Sequence, residues 1–286
     1  MCQGLTWKIR HPVSPQSEPP IALSVSSVSA PRPGLPHHTH ATERHGHGQP
    51  KNPERRRQFG HGLALARRCL DEGAAVIIAG RDEAKLNAAR DGLGNPAALE
   101  TAVVDISRED EVAALFAGIG SLDHIVSTAA DIKGAYRLLP EIELSAAQRV
   151  VESKFYGPLL LAKHGAPVLP ATGSLTFVSG IAAYRPAARG SVVAAVNAAL
   201  EGLVRALAVE LAPIRINAVS PGWVDTPIWE FVAGDRTADT LAAMASRLPV
   251  GRVGRPDDIA DALRFLIGNG FTTGETLHVE GGHRLV

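Results

Sequence analysis

From residue 60 onward the sequence alternates short apolar segments with longer amphipathic ones, and this alternation constrains the fold more than any other feature. The short segments predict strands, and the amphipathic segments between them predict helices. Strands that are apolar on both faces are typical of a parallel sheet with helices on either side. We therefore predict an α/β fold with a doubly wound parallel sheet, in which ligands bind at the carboxyl ends of the strands.

The individual segments follow from apolar periodicity and from turn residues. The predicted strands lie at residues 74–79, 99–104, 124–127, 174–178, 214–219 and 276–279. The first predicted helix begins at Leu63 and ends at Gly73. The other predicted helices lie at residues 82–93, 109–116, 144–169, 191–211 and 256–267. Asp82 is the expected N-cap of the second helix.

Composition narrows the function classes. The chain has 286 residues, 45% of them hydrophobic, and no net formal charge, so it gives no reason to expect nucleic acid or an anionic membrane as a partner. Its two cysteines, Cys2 and Cys69, have no metal-like spacing, which favours a reducing cytoplasm and no disulfide framework. No apolar run approaches the ~18 residues that a membrane span requires.

The first 59 residues differ in composition from the rest. They are rich in Pro, Ser, His and Arg without sustained periodicity, so we predict a disordered or non-native segment at residues 1–59 and one domain at residues 60–286. Five histidines lie between His37 and His47. Such a cluster is typical either of a divalent-metal tract or of a solvated, composition-biased tail; the tail is the preferred interpretation, and we predict no metal site.

The domain lacks an evident first strand. Gly60 and Gly62 stand where a phosphate-binding turn enters the first helix, and such a turn follows a buried strand. The preceding "PKNPERRRQ" contains proline and dense charge, which central strands exclude. Either the native start has been replaced, as an out-of-frame or misassigned N-terminus would do, or a genuine extension supplies a new strand within residues 21–29. The first is the preferred interpretation, because the second needs an unusually long connection.

Several motifs in order resemble the short-chain dehydrogenase/reductase family over residues 60–282. They include "GHGLALARR", "VIIAGRD", "VVDIS", "FVSG", "INAVSPGWVDTP" and "TGETLHVEGG". The resemblance implies a Rossmann-like fold, hydride transfer between a nicotinamide and a carbonyl or alcohol of a small molecule, and assembly as a homo-oligomer, either dimer or tetramer. Residues 223–236, with Trp229 and Phe231, are then expected to form a loop over a mostly apolar substrate pocket.

The resemblance also implies which residues hold the cofactor. Gly60 and Gly62 match the last two glycines of the family's pyrophosphate turn, and Asp105 matches the aspartate beside the adenine. "STAA" replaces the family's Asn-Asn-Ala-Gly segment, with Ala129 in its third position. The loop around the nicotinamide amide matches Pro221, Gly222, Val224 and Thr226.

Arg81 bears on the choice between NADP and NAD. NAD-preferring members have an acid at the position of Gly80, where it accepts hydrogen bonds from the ribose. Here that acid is absent, and a guanidinium that can pair with a 2′-phosphate follows directly. We predict NADP, with NAD less favoured; the alternative is an ordinary surface arginine.

The catalytic pattern is incomplete. The family's serine matches Ser179, but its Tyr-x-x-x-Lys pair falls on Val193 and Asn197, neither of which can transfer a proton. Lys154 occupies the position of the family's Asn in "KFYG". We predict Ser179 and Lys154 as the catalytic residues; the alternative is that Lys154 is a solvated helix lysine. Tyr184, five residues after Ser179, is a weaker candidate.

Two functions remain open. An NADP-dependent oxidoreductase uses Ser179 and Lys154, whereas a non-catalytic nucleotide-binding or partner-forming protein would explain the missing tyrosine. The first is the preferred hypothesis, because a protein without cofactor chemistry has little need of the retained motifs.

Overall fold

The structure, a computed structural model, describes residues 21–25 and residues 60–286. Its centre is one sheet of seven strands, all parallel, in the order β3-β2-β1-β4-β5-β6-β7. The strands are β1 (Ile21–Val25), β2 (Ala75–Gly80), β3 (Leu99–Val103), β4 (His124–Ser127), β5 (Ser174–Val178), β6 (Arg215–Pro221) and β7 (Thr276–Val279). The predicted doubly wound, Rossmann-like sheet is confirmed, and strands β2 to β7 match the predicted apolar segments of the sequence.

The first strand comes from the N-terminal segment. Ile21–Val25 lies between β2 and β4, with Ile21 beside Ala75 and Ala22 beside His124. The prediction that residues 1–59 lack regular structure is therefore wrong for these five residues, which lie within the 21–29 range that the alternative proposed for a strand. Prolines precede this strand and do not interrupt it, so its backbone donors can pair on both sides. The histidine tract lies outside the described residues.

Helices cover both faces of the sheet. They are α1 (His61–Asp71), α2 (Glu83–Gly92), α3 (Glu109–Ile119), α4 (Leu144–Val151), α5 (Gly157–Gly165), α6 (Ser191–Glu210), α7 (Ile228–Ala233), α8 (Thr237–Ala245) and α9 (Pro256–Gly268). The predicted cap of α2 is present, since the Asp82 carboxylate accepts the Lys85 N–H at 3.1 Å. The predicted loop at residues 223–236 is in part helical, because α7 begins directly after Pro227, and α8 was not predicted.

Two apolar cores form between the sheet and its helices. On one face α1, α2 and α9 pack against Val76 and Ile78 of β2. On the other face α3, α5 and α6 pack against strand residues that include Phe177 of β5 and Ile216 of β6. The cores bind both helix layers to the sheet, and the carboxyl ends of the strands are left to face the loops that follow them.

Helix α6 is twenty residues long and, by length and composition, apolar enough to cross a membrane. Its apolar face, which includes Leu200, Val204 and Leu207, is buried in the core against the sheet. It is therefore a core helix of this domain.

Two leucines of α5 provide a matched test of this packing. Leu161 is fully buried and Leu159 is 36% exposed. Leu161→Ala should lower the free energy of unfolding by roughly 2–5 kcal/mol, because it leaves a cavity in the core. Leu159→Ala should lower it by much less. Urea unfolding followed by circular dichroism measures both, and equal losses would show that Leu161 does not contribute as a core residue.

Candidate active site

A cavity of about 540 Å³ lies at the carboxyl ends of β2 and β4. Among the predicted cofactor residues, Gly60, Gly62, Arg81 and Thr226 line it. Gly60 caps the N-terminus of α1, and a Cβ built on it would meet no atom within 4 Å. The turn therefore places the N-terminus of α1 at the cavity wall, and a helix N-terminus is where an anionic ligand binds most favourably.

A smaller cavity of about 40 Å³ lies beside the first and is lined by Arg81, Asp105 and Ala129. The Asp105 carboxylate accepts two hydrogen bonds from Ser107, one from its backbone N–H at 2.9 Å and one from its hydroxyl at 2.7 Å. Asp105 thus organises the turn before α3 while facing the cavity. The structure brings together three of the predicted cofactor-binding residues at this smaller cavity.

The loop after β6 is built by close backbone approach. A Cβ on Gly222 would lie 2.6 Å from Cα of Glu280, so only glycine fits there without a shift. Val224 is buried, and its carbonyl accepts the Trp229 indole N–H at 2.7 Å. Pro221, Gly222 and Val224 do not line either of the two cavities; they hold the loop that carries Thr226 to the larger one.

Lys154 lies in a single π-helical turn, Glu152–Tyr156, inserted between α4 and α5. Turns of this kind reorient one side chain and often occur at functional sites. Lys154 is 6% exposed, and its Nζ donates to the Ser179 carbonyl at 3.1 Å. The two predicted catalytic residues therefore meet, although through the backbone of Ser179 and not through its hydroxyl.

Glu201 is the site residue that the sequence analysis missed. Its carboxylate is buried, accepts the Ser179 hydroxyl at 2.7 Å through Oε1, and accepts the Tyr184 hydroxyl through Oε2. A glutamate within a helix is usually solvated, which is why it escaped notice. The available signal was its spacing, since it lies four residues after Asn197 and eight after Val193 on one helix face.

Burial shapes the ionisation of this cluster. Desolvation lowers the pKa of Lys154 to about 8, and the nearby Glu201 carboxylate opposes that shift. Desolvation, and then the hydrogen bond to Glu201, raise the pKa of Tyr184 to about 12. Burial and the charge of Lys154 lower the pKa of His61 to about 4. His61 lines the larger cavity, whereas Lys154 and Ser179 line neither of the two cavities.

The residues at the positions of the missing tyrosine and lysine, Val193 and Asn197, make packing and hydrogen-bond contacts within the domain. Val193 is buried in a small apolar cluster with Ile132 and Val150. The Asn197 amide donates to the Gly180 carbonyl at 3.4 Å. Neither side chain carries a titratable group. Among the residues that the structure describes, no group of His, Cys, Asp or Glu side chains could hold a metal ion.

Known proteins match most of the chain. The family profile described as "Enoyl-(Acyl carrier protein) reductase" matches residues 57–284. The short-chain dehydrogenase/reductase malC of Malbranchea aurantiaca is 33% identical over 242 residues, which cover 78% of this chain and 90% of the relative. The chain belongs to the short-chain dehydrogenase/reductase family. A cis-4-hydroxycyclohexanecarboxylate dehydrogenase of Sinomonas cyclohexanicum is 38% identical over 241 residues, covering 79% of this chain and 93% of the relative.

Solved structures of short-chain dehydrogenases/reductases share the fold. The MalC reductase/Diels-Alderase of Malbranchea aurantiaca superposes with a TM-score of 0.73 at 32% identity, covering 79% of this chain and 93% of that one. A small-chain dehydrogenase in complex with NADPH superposes with a TM-score of 0.68 at 28% identity, covering 94% of this chain and all of the other. The predicted family membership is thereby confirmed.

The lowered pKa of Lys154 predicts a pH dependence of stability. The unfolded chain retains the Lys154 proton up to about pH 10.5, whereas the folded chain loses it near pH 8. Stability due to this group therefore rises with pH between these values, by about 2 kcal/mol from pH 8 to pH 10. Lys154→Met should abolish that increment. The difference between the unfolding free energies of the wild type and the variant, measured at each pH, isolates the contribution of Lys154. A constant difference across the range would contradict a lowered pKa.

Proposed function

We propose that this short-chain dehydrogenase/reductase is an NADP-dependent oxidoreductase that transfers a hydride between the nicotinamide and a carbonyl or alcohol group of a small molecule. One observation carries the proposal: the glycine turn, Arg81 and Thr226 line one cavity at the carboxyl ends of the strands. This is where a doubly wound sheet binds dinucleotides.

The residues present fit such a cofactor. Gly60 and Gly62 line the cavity at the N-terminus of α1, where the pyrophosphate would bind, and Arg81 offers a charge to a 2′-phosphate at the end of β2. Asp105 and Ala129 lie beside the adenosine-side cavity, and Pro221, Gly222, Val224 and Thr226 form the loop toward the nicotinamide. When bound, the cofactor supplies or accepts the hydride.

In this proposal Lys154 transfers the proton that accompanies hydride transfer. A hydroxyl can donate one hydrogen bond, and the Ser179 hydroxyl donates its bond to the Glu201 carboxylate. The ammonium of Lys154 has three donors, of which the Ser179 carbonyl takes one. With a pKa near 8, Lys154 can release a proton at neutral pH, and Ser179 positions it through the backbone carbonyl.

A non-catalytic protein on the same fold is the second candidate. The observation in its favour is that Val193 belongs to an apolar cluster and the Ser179 hydroxyl is already bonded. Such a protein would bind the nucleotide without turnover. Steady-state turnover with a panel of small carbonyl compounds, on a chain shown to bind NADPH, separates the two candidates.

Assembly and location belong to the same proposal. Val209, Phe265, Phe271 and Leu285 expose large apolar surfaces, which fits a homo-oligomer. We place the enzyme in the cytoplasm, with no nucleic-acid or membrane partner. The indoles of Trp223 and Trp229 stack at 4.1 Å beside the cavity loop, which fits an apolar small-molecule substrate.

Arg81→Asp tests the choice of cofactor. It should weaken NADPH binding by roughly 1.5–3 kcal/mol, because a charge-assisted bond to the 2′-phosphate is lost, while NADH binding falls less or improves. Titration of nicotinamide fluorescence measures both dissociation constants. Equal loss for the two cofactors would show that Arg81 only supports the fold.

Lys154→Ala tests the proton donor. It should lower kcat by roughly 10²–10⁴-fold, the usual contribution of a positioned acid, while the NADPH dissociation constant changes little. Ser179→Ala should lower kcat by a smaller factor. Lys163→Ala on α5 is the control, because Lys163 is exposed and pairs with Glu109 at 2.5 Å. Unchanged turnover in a folded Lys154→Ala variant would make Lys154 a bystander.

A further inference from the structure

Arg81, the residue proposed to bind a 2′-phosphate, already pairs with acidic side chains. Its Nη2 donates to Oδ2 of Asp131 at 3.0 Å, and its Nη1 lies 3.9 Å from Oδ2 of Asp105. The Arg81 side chain is 47% exposed, whereas that of Asp131 is only 17% exposed. The pair thus joins the end of β2 to the loop after β4.

This ion pair stands between the two cavities. Gly80, Arg81, Ala130 and Asp131 line both of them, so the Arg81–Asp131 contact is part of their common wall. A nucleotide whose pyrophosphate sits at the glycine turn and whose adenine lies near Asp105 must pass this wall.

Asp131 is held in place by its own surroundings. Its backbone N–H donates to the Ser153 hydroxyl at 2.9 Å, and its Oδ1 accepts the Lys133 N–H at 3.4 Å. The Ser153 hydroxyl in turn donates to the Arg149 carbonyl at 2.8 Å. These hydrogen bonds fix both the backbone and the carboxylate of Asp131, so the carboxylate keeps its position beside Arg81.

We propose that Asp131 is a specificity-determining residue that competes with the cofactor's 2′-phosphate for Arg81. The proposal rests on the proposed function, since it concerns the same nucleotide site. A phosphate and a carboxylate are both anions that bind a guanidinium, and they repel each other. Asp131 therefore weakens binding of a 2′-phosphorylated nucleotide, while a nucleotide without that group leaves the ion pair intact. Arg81 and Asp131 together set the ratio of the two affinities.

Two adenosine ligands isolate this effect from the rest of the cofactor. Adenosine 2′,5′-bisphosphate carries the 2′-phosphate, and adenosine 5′-monophosphate lacks it. Isothermal titration of the full chain gives both dissociation constants. Asp131→Asn keeps the shape and removes the charge, and it should raise the preference for the bisphosphate roughly threefold to tenfold, as expected for a partly exposed pair. Asp131→Ser must shift the preference in the same direction.

Glu152→Gln is the matched control. Glu152 lines the smaller cavity, and in the described part of the chain Arg81 pairs with Asp105 and Asp131 and not with Glu152. Removing its charge should change the preference by less than twofold. In an Arg81→Gln background, Asp131→Asn should lose most of its effect, because the two residues act through one contact.

The outcomes separate the two proposals. If the wild type binds neither ligand, the nucleotide site and this inference are both overturned. If it binds both ligands and Asp131→Asn leaves their ratio unchanged or lowers it, the competition is overturned and the proposed function stands. If Asp131→Asn had the same effect with and without Arg81, the Asp131 carboxylate would act by direct repulsion of the 2′-phosphate. That result also overturns competition for Arg81.

Discussion

The hydrogen bonds of β1 hold the two halves of the sheet together. β1 pairs with β2 on one side and with β4 on the other. Without it both neighbours would expose an unpaired edge in the middle of the domain, where backbone donors and acceptors have no water. The cavity depends on the same contact, because its walls come from the ends of β2 and β4. Five residues from a composition-biased segment thus set the distance across the proposed nucleotide site.

The polar cluster around Ser179 follows a second constraint, which is that a buried charge needs partners. Lys154 and Glu201 are both buried, and Ser179 bonds to each of them through different atoms. Tyr184 closes the cluster from the exposed side. The family's usual proton-transfer pair is absent from α6, whereas Lys154 and Glu201 are buried nearby. Removing either charge alone would leave the other buried without an opposite charge nearby, so mutations of Lys154 and Glu201 should be energetically coupled.

Most of the fold could be predicted from the sequence because parallel strands are short, apolar and bounded by turns. The strand at residues 174–178 and the helix that begins at Ser191 are examples in which periodicity alone sufficed. β1 was harder, since the chain between it and α1 is long and connection length argued against the pairing. The spacing of Glu201 from Val193 and Asn197 placed it on the relevant helix face, but its burial and its bonds to Ser179 and Tyr184 arise only in the folded chain. The ion pair between Arg81 and Asp131 is hidden for the same reason.

The stacked indoles of Trp223 and Trp229 give the protein an internal optical signal. Their planes lie 22° apart at 4.1 Å, close enough for their electronic transitions to couple. Trp229 is also tied to Val224, two residues before the cavity-lining Thr226. Near-ultraviolet circular dichroism from this pair therefore reports the arrangement of the loop directly. A movement of the loop on nucleotide binding would be visible in the native chain, with no label and no turnover.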